Sequence, residues 1–544
     1  MLHGLQGAVL GPIEIAMNRR LFLQFPLAAL LAVGLPIGRA ATFDLTTASV
    51  ADVRAAMDAG ALTSEKLVQL CIARIEAYDK SGPAINAIIT VNPRALEMAR
   101  ALDAERKAKG PRSPLHGIPV ILKDNYDTFD MLTTGGSKAL ADIQPPTDAF
   151  ATARLRAAGA VILAKANLGE LARTSVTNSS LGGQTLNPYD LGRTPGGSSG
   201  GSGAATAASF AILAMGSDTG QSIRSPASAN NGVGFRGTFG LIGRSGVIPD
   251  SYSHDAVGPI TRYVADAAVM LDALVGVDTE DPSTWDAIGK SPKTYTAFLD
   301  PQGLKGARVG FVTNLLGDGS SPEHAVVSAV TRKAVEAIER AGATVIELRI
   351  PMADAVYSGK MELTVSGYET VRVMNEYFVS LGTKGKYKNL EEYVAAAGDT
   401  DPSVLAGFKK ALAMKDPLKN PQYPIRLARQ VEFREELVRA MDAQKLDALF
   451  YTHQRRLVVP VGQPQLERNG FMSSSSGLPA ITVPGGFSPP TGTAPLGVPV
   501  GVEFLGRMFA EPTLIRLAYG FEQATHFHQS PASTPSLPGD RFTY

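Results

Sequence analysis

Helical and strand-like segments alternate along most of this sequence, and that alternation constrains the fold more than any other feature. The stretch DAFATARLRAAGAVILAKANL, residues 148–168, places an amphipathic helical pattern ahead of a short apolar run of strand type. The same order recurs in AVVSAVTRKAVEAIERAGATVIELRIP, residues 325–351. Because helices that alternate with strands pack against a sheet, we predict an α/β fold: a large mixed, twisted sheet covered by helices on both faces.

The domain organisation follows from length and pattern. A chain of 544 residues can build one large core or two domains. Neither an internal repeat nor a clear linker divides it, so we predict a single domain over residues 41–544. Residues 270–450 are more helical and more charged than the remainder, and we expect them to form a cap-like region that lines a substrate channel.

The N-terminal segment has the features of an export signal. Arg19 and Arg20 precede an apolar run from Phe25 to Ile37, which is too short to span a bilayer comfortably. Small residues then favour cleavage before Ala41. We predict a twin-arginine signal peptide over residues 1–40 and a periplasmic or secreted protein, with an ordinary secretory signal as the alternative. Translation could start at Met1 or at Met17.

Charge and residue usage narrow the classes of partner. The formal net charge is +1 and no run of Lys or Arg stands out, so we expect no nucleic-acid partner. Seven histidines without an HExxH pattern and a single cysteine, Cys71, give no metal site, and we expect no cofactor. Cys71 lies among apolar residues at helical spacing, which predicts packing rather than catalysis. We therefore expect a small-molecule substrate; the sequence does not indicate an oligomeric state.

Two loops rich in serine and glycine flank an apolar helical stretch. They read PGGSSGGSG, residues 195–203, and SDTGQSIRSP, residues 217–226. Residues 196–200 formally match a G-x-S-x-G nucleophile elbow, but turn residues and not a strand precede them. A phosphate-binding loop is the alternative, although the Gly-Lys-Ser ending of a P-loop is missing. These loops alone leave nucleophilic catalysis and anion binding both open.

The loops together with three further segments resemble the amidase signature family. The continuous stretch 195–246 carries the resemblance, with HGIPVILKDNYDT at 116–128, SGLPAITVPGGF at 476–487 and VGVEFLGRMFAEPTLIRLAYGFEQA at 500–524. The resemblance implies a serine amidohydrolase that converts a small-molecule or peptide carboxamide to carboxylate and amine or ammonia. The alternatives on the same residues are hydrolysis of an aryl amide, carbamate or ester, a tRNA-dependent amidotransferase subunit, and a non-catalytic binding protein.

The resemblance also assigns roles to individual residues. It implies that Ser222 is the nucleophile, that Ser198, which the family holds after a cis peptide bond, is a bridging serine, and that Lys123 is the base. It implies an oxyanion hole of backbone N–H groups and a structural charge pair beside it. The oxyanion hole would be formed by Thr219, Gly220, Gln221 and Ser222, and the pair by Asp218 and Arg224.

A lysine can act as this base only when it is neutral. The pKa of a free lysine is about 10.4, and lowering it to about 7 corresponds to ~4–5 kcal/mol, which burial can supply. Lys123 follows the apolar run Ile118–Leu122, so a buried strand end is expected there. Ser198 would then pass the proton between Ser222 and Lys123.

Gln221 departs from the family pattern, which has glycine at this position. If Gln221 has a positive φ, the backbone is strained. If its φ is ordinary, the side chain narrows the acyl pocket. Either way the expected effect is on substrate range and not on activity.

Overall fold

The computed structural model describes residues 41–544. Residues 1–40, which carry the predicted export signal, lie outside the described residues. Thr42–Tyr544 form one compact unit. Within the described range, none of the helices combines the length and the apolar character that a membrane crossing requires.

Fifteen strands are assigned among residues 41–544. In chain order they are β1 Thr42–Asp44, β2 Ile88–Val91, β3 Pro119–Lys123, β4 Val161–Ala166, β5 Asn178–Ser179, β6 Gly183–Gln184, β7 Leu213–Asp218, β8 Val233–Arg236, β9 Ala256–Thr261, β10 Arg308–Val312, β11 Thr344–Leu348, β12 Ala448–Thr452, β13 Ala480–Phe487, β14 Pro499–Leu505 and β15 Arg541–Thr543.

The α-helices of the same range also number fifteen. They are α1 Val50–Asp58, α2 Ser64–Tyr78, α3 Ala95–Lys109, α4 Phe150–Ala157, α5 Gly200–Ala207, α6 Arg224–Ala229, α7 Val264–Leu274, α8 Pro322–Arg340, α9 Pro351–Tyr357, α10 Ser366–Ser380, α11 Leu390–Ala396, α12 Pro402–Leu412, α13 Gln422–Ala443, α14 Phe471–Ser474 and α15 Glu511–Thr525.

Eleven strands form one mixed sheet in the order β11-β10-β12-β14-β13-β8-β9-β7-β3-β4-β2. β3 is parallel to both of its neighbours, β4 and β7, whereas β7 is antiparallel to β9. Helices cover both faces of this sheet. The predicted α/β class with a large mixed sheet is therefore confirmed.

Local sequence explains how these elements form. Thr63 caps α2 by accepting a hydrogen bond from the Lys66 N–H, and Gly110 follows α3 with a φ of 81°. β3 and β4 are buried along their whole length, as expected for apolar strands with helices on both sides. Cys71 is fully buried in α2, and burial raises the pKa of its thiol to about 12, which agrees with a packing role.

Helices dominate the region between residues 270 and 450. It contains α8 to α13 with only β10, β11 and part of β12. α10, α11 and α12 share an aromatic cluster that packs against Leu140, Leu171 and Ile248, which lie in the loops beyond β3 and β4 and before β9. The part that this region plays in a substrate channel stays a prediction.

Candidate active site

Lys123 is the last residue of β3, which is the third strand from one edge of the sheet. Its side chain is fully buried, and Nζ lies 2.7 Å from Ser198 Oγ and 2.8 Å from Ser217 Oγ. Burial lowers the pKa of Lys123 to about 7, although the charges of Asp218, Asp255 and Asp250 oppose the shift. A large fraction of this amine is neutral near pH 7, which is the state that a general base requires.

Ser198 lies in the loop that leads into α5. The Gly197–Ser198 peptide bond is cis, the side chain is fully buried, and the Ser198 carbonyl accepts a hydrogen bond of 2.9 Å from the Gly169 N–H. Gly197 has no room for a side chain, because a Cβ there would lie 2.7 Å from the backbone of Ser175 and Val176. The glycines of this loop thus allow it to pack tightly and hold Ser198 against Lys123.

Ser222 lies in the short connection between β7 and α6. It is 8% exposed, which makes it more accessible than Ser198 or Lys123. The Ser199 N–H donates to the Ser222 carbonyl at 3.2 Å, so the two serine loops are joined directly. Within residues 41–544 no hydrogen bond links the Ser198 and Ser222 hydroxyls, and that contact stays a prediction. Catalytic hydrogen bonds in unliganded enzymes often tighten only when substrate binds.

Asp218 and Arg224 form the buried ion pair that the resemblance implies. Arg224 Nε donates to Asp218 Oδ2 at 3.1 Å, and both side chains are fully buried. A second arginine, Arg236, contacts Asp218 Oδ1 at 3.1 Å. The charges of Arg224 and Arg236 overcome the effect of burial and hold the pKa of Asp218 well below its usual range. Asp218 is therefore an anion that braces the loop containing Ser222.

The backbone N–H groups of Thr219, Gly220, Gln221 and Ser222 make no hydrogen bond to the described part of the chain. Free N–H groups in consecutive residues are what an oxyanion hole needs. Thr219, the fourth predicted member, is held by its hydroxyl, which donates to Asp255 Oδ1 at 2.5 Å. The arrangement permits an oxyanion hole here, and its function stays a prediction.

The φ of Gln221 is not positive, so the strain considered from the sequence is absent. Gln221 is buried, with only 3% of its surface exposed. Its carboxamide has no hydrogen-bond partner among residues 41–544. A Cβ on Gly470 would lie 2.5 Å from the Gln221 Cβ, so Gly470 provides the space that Gln221 occupies. An effect of this side chain on acyl selectivity stays a prediction.

A cavity of about 260 Å³ lies beside these groups. Ser217 and Thr219, on either side of Asp218, form part of its wall, and α10 contributes Val373 and Tyr377. Ser217 also contacts Lys123, so the Ser217 side chain lies between the cavity and the Lys123 amine. The cavity is thus placed to receive part of a molecule that reacts at this site.

The sequence interpretation missed several residues of this site. Ser217 is a second hydroxyl contact of Lys123, and Asn125 Nδ2 donates to Ser217 Oγ at 3.0 Å. Ser217 and Asn125 lie inside the segments 217–226 and 116–128 that carry the resemblance. Their position close to the candidate catalytic residues in the sequence could therefore have identified them. Glu503 contacts Arg224, and His453 contacts Glu503. Glu503 lies in the segment 500–524 that carries the resemblance, whereas no local pattern marks His453.

Comparisons with known proteins place this chain in a family. The family described as Amidase matches residues 66–515. The chain is 35% identical to a glutamyl-tRNA(Gln) amidotransferase subunit from Moorella thermoacetica, over 86% of this chain and 94% of the relative. It is 36% identical to a probable amidase from Arabidopsis thaliana, over 90% of this chain and 92% of that protein.

Among solved structures, the native peptide amidase from Stenotrophomonas maltophilia superimposes with a TM-score of 0.82 at 36% identity, covering 90% of this chain and 99% of that one. The chain belongs to the amidase family. This amidase is a hydrolase that acts on amide C–N bonds. The resemblance drawn from the serine and glycine loops is confirmed.

Proposed function

We propose that Ser222 attacks the amide carbonyl, that Ser198 transfers the proton, and that Lys123 receives it. The observation that carries this proposal is the contact of 2.7 Å between Ser198 Oγ and a fully buried Lys123 whose pKa is about 7. The same proton then returns to the departing amine, which is a poor leaving group until it is protonated. Water hydrolyses the acyl-enzyme on Ser222 by the reverse path.

The backbone N–H groups of Thr219, Gly220, Gln221 and Ser222 stabilise the negative oxygen of the tetrahedral intermediate in this mechanism. Removal of one such donor typically costs ~3–4 kcal/mol of transition-state stabilisation. A panel of aliphatic, aryl and peptide amides, assayed for released amine, tests the proposed function. Amine release by the isolated chain supports a hydrolase. Activity that requires an added tRNA would favour the amidotransferase alternative suggested by the Moorella relative.

We propose that the acyl or amine part of the substrate occupies the cavity beside Ser217. Its lining is acidic, and two of its carboxylates, Asp255 and Glu280, have no cationic partner within residues 41–544. Asp281 is paired with Arg244 at 2.7 Å. Neutral and cationic amides should therefore bind better than anionic ones.

Glu280→Gln is expected to lower the preference for a cationic over an anionic amide of the same size by up to about fivefold. Glu280 is exposed at the cavity wall, and exposed charge pairs contribute ~0.2–1 kcal/mol. The measurement is kcat/KM for both amides in the wild type and the variant. Glu435→Gln, which changes an exposed glutamate on α13, is the control. If Glu280→Gln leaves the preference unchanged, the Glu280 carboxylate takes no part in substrate selection.

We also propose that the protein is exported as a folded chain to the periplasm, on the basis of Arg19-Arg20 and the apolar run that follows. Replacing both arginines with lysine should leave unprocessed protein in the cytoplasm of a bacterial host that has the twin-arginine pathway. Cell fractionation and the mass of the exported chain measure this. Normal export and cleavage near Ala41 in the double variant would indicate the general secretory route.

A further inference from the structure

We propose that Glu503 and His453 are positioning residues that orient the oxyanion-hole peptide through Arg224, an inference that rests on the proposed function. Neither residue belongs to the nucleophile loop or to the segment that carries the lysine. Glu503 lies within β14, and His453 directly follows β12, the strand beside β14 in the sheet. Both side chains are fully buried.

The first link is the contact between Arg224 and the loop itself. Arg224 Nη2 donates to the Gly220 carbonyl at 2.9 Å and to the Gly470 carbonyl at 3.0 Å. The Gly220 C=O and the Gln221 N–H belong to one planar peptide and point in opposite directions. A guanidinium that holds the Gly220 oxygen therefore fixes the direction in which the Gln221 N–H is presented.

The second link is the contact between Glu503 and Arg224. Arg224 Nη1 lies 3.2 Å from Glu503 Oε2, while Nε of the same guanidinium faces Asp218. Two carboxylates thus hold the rigid guanidinium from two sides. Its Nη2 lies 3.3 Å from Asp218 Oδ1 and makes its shorter contacts with the two backbone carbonyls. Burial alone would raise the pKa of Glu503, but the charge of Arg224 and the contact with His453 lower it to about 2.

The third link is the contact between His453 and Glu503. His453 Nδ1 donates to Glu503 Oε1, and the Thr482 hydroxyl donates to the same oxygen at 3.0 Å. The buried cluster is already balanced in charge, because Arg224 and Arg236 face Asp218 and Glu503. The role left to His453 is to fix the orientation of the Glu503 carboxylate through this hydrogen bond.

The proposal predicts a change in kcat without a change in substrate binding. His453→Leu removes the donor, and Glu503→Gln removes the charge that holds Arg224 Nη1. Each should lower kcat about tenfold to a hundredfold while KM stays within about twofold, since a misoriented oxyanion donor retains part of its effect. His453→Asn keeps an N–H donor near the position of Nδ1 and should restore kcat to within about threefold of the wild type.

The test uses the amide that the wild type hydrolyses with the highest kcat/KM among the aliphatic, aryl and peptide amides. It measures kcat and KM for that amide and the inhibition constant of the corresponding aldehyde. An aldehyde forms a tetrahedral adduct on a nucleophilic serine, so its inhibition constant should rise by the factor by which kcat falls. Glu511→Gln is the matched control, because Glu511 is also buried but accepts from the Thr238 N–H instead of contacting Arg224.

Two results would overturn the proposal. One is normal kcat and aldehyde affinity in both His453→Leu and Glu503→Gln. The other is a His453→Asn variant as inactive or as unstable as His453→Leu, which would mean that the imidazole matters for packing alone. Failure of the proposed function would look different, since the wild type itself would then lack amide hydrolysis or inhibition by the aldehyde.

Discussion

Replacing Ser222 with alanine is expected to lower kcat for amide hydrolysis by about 10⁶-fold, the effect seen when a serine hydrolase loses its nucleophile. Without the hydroxyl no acyl-enzyme forms, and the neighbouring Ser198 is fully buried and cannot substitute for it. The Ser222 hydroxyl makes no hydrogen bond to the described residues, so the midpoint of thermal unfolding should be unchanged. Steady-state amine release and a thermal melt measure the two effects.

Ser225→Ala is the matched control for this variant. Ser225 lies three residues further on, is fully buried, and has a hydroxyl without a hydrogen-bond partner in the described part of the chain. Its loss should leave activity near that of the wild type. Substantial amidase activity in Ser222→Ala, or equal losses in the two variants, would contradict the assignment of the nucleophile.

Lys123→Ala should lower the rate of amide hydrolysis by at least the ~10²–10⁴-fold that one general acid–base group contributes. In the proposed mechanism, the variant loses both the base that activates Ser222 and the acid that protonates the departing amine. Ester hydrolysis should fall less, because an alkoxide or phenoxide leaves with less assistance. Rates for a matched amide and ester measure the difference, and Lys123→Met, which fills the same space without an amine, controls for the void.

The pH dependence follows from the same residue. The pKa of Lys123 is lowered to about 7, so the neutral, active form of the base becomes more populated as pH rises through that value. The kcat/KM of the wild type should therefore rise between about pH 6 and pH 8, and this limb should be lost in Lys123→Ala. Near-normal amide hydrolysis in Lys123→Ala would direct the search for a base to the histidines.

Local sequence was sufficient to predict the elements that carry the candidate triad. An apolar run ending in lysine predicts a buried strand end, and Lys123 is the last residue of β3. The loops around Ser198 and Ser222 contain glycines where the backbone approaches closely, as at Gly197. These features depend on neighbours in the chain, which is why a sequence pattern could indicate them.

Contacts that depend on the order of strands in the sheet could not be predicted in this way. Arg224 and Glu503 are 279 residues apart, and they meet because α6, which begins at Arg224, packs against β14. Hydrophobic periodicity indicates that a strand exists but not which strand lies beside it. The sequence likewise did not decide whether the φ of Gln221 is positive or negative. Glutamine can adopt both conformations, and the surrounding loop selects the one that is not positive.

The most direct test of the serine–serine–lysine mechanism is the rate at which a fluorophosphonate labels the protein as a function of pH, with the modified residue identified by peptide mapping. The mechanism predicts a single adduct on Ser222, a labelling rate that rises as pH passes through about 7, and loss of that pH-dependent labelling in Lys123→Ala. An adduct on a different residue, or a labelling rate that is the same in Lys123→Ala as in the wild type, would contradict it.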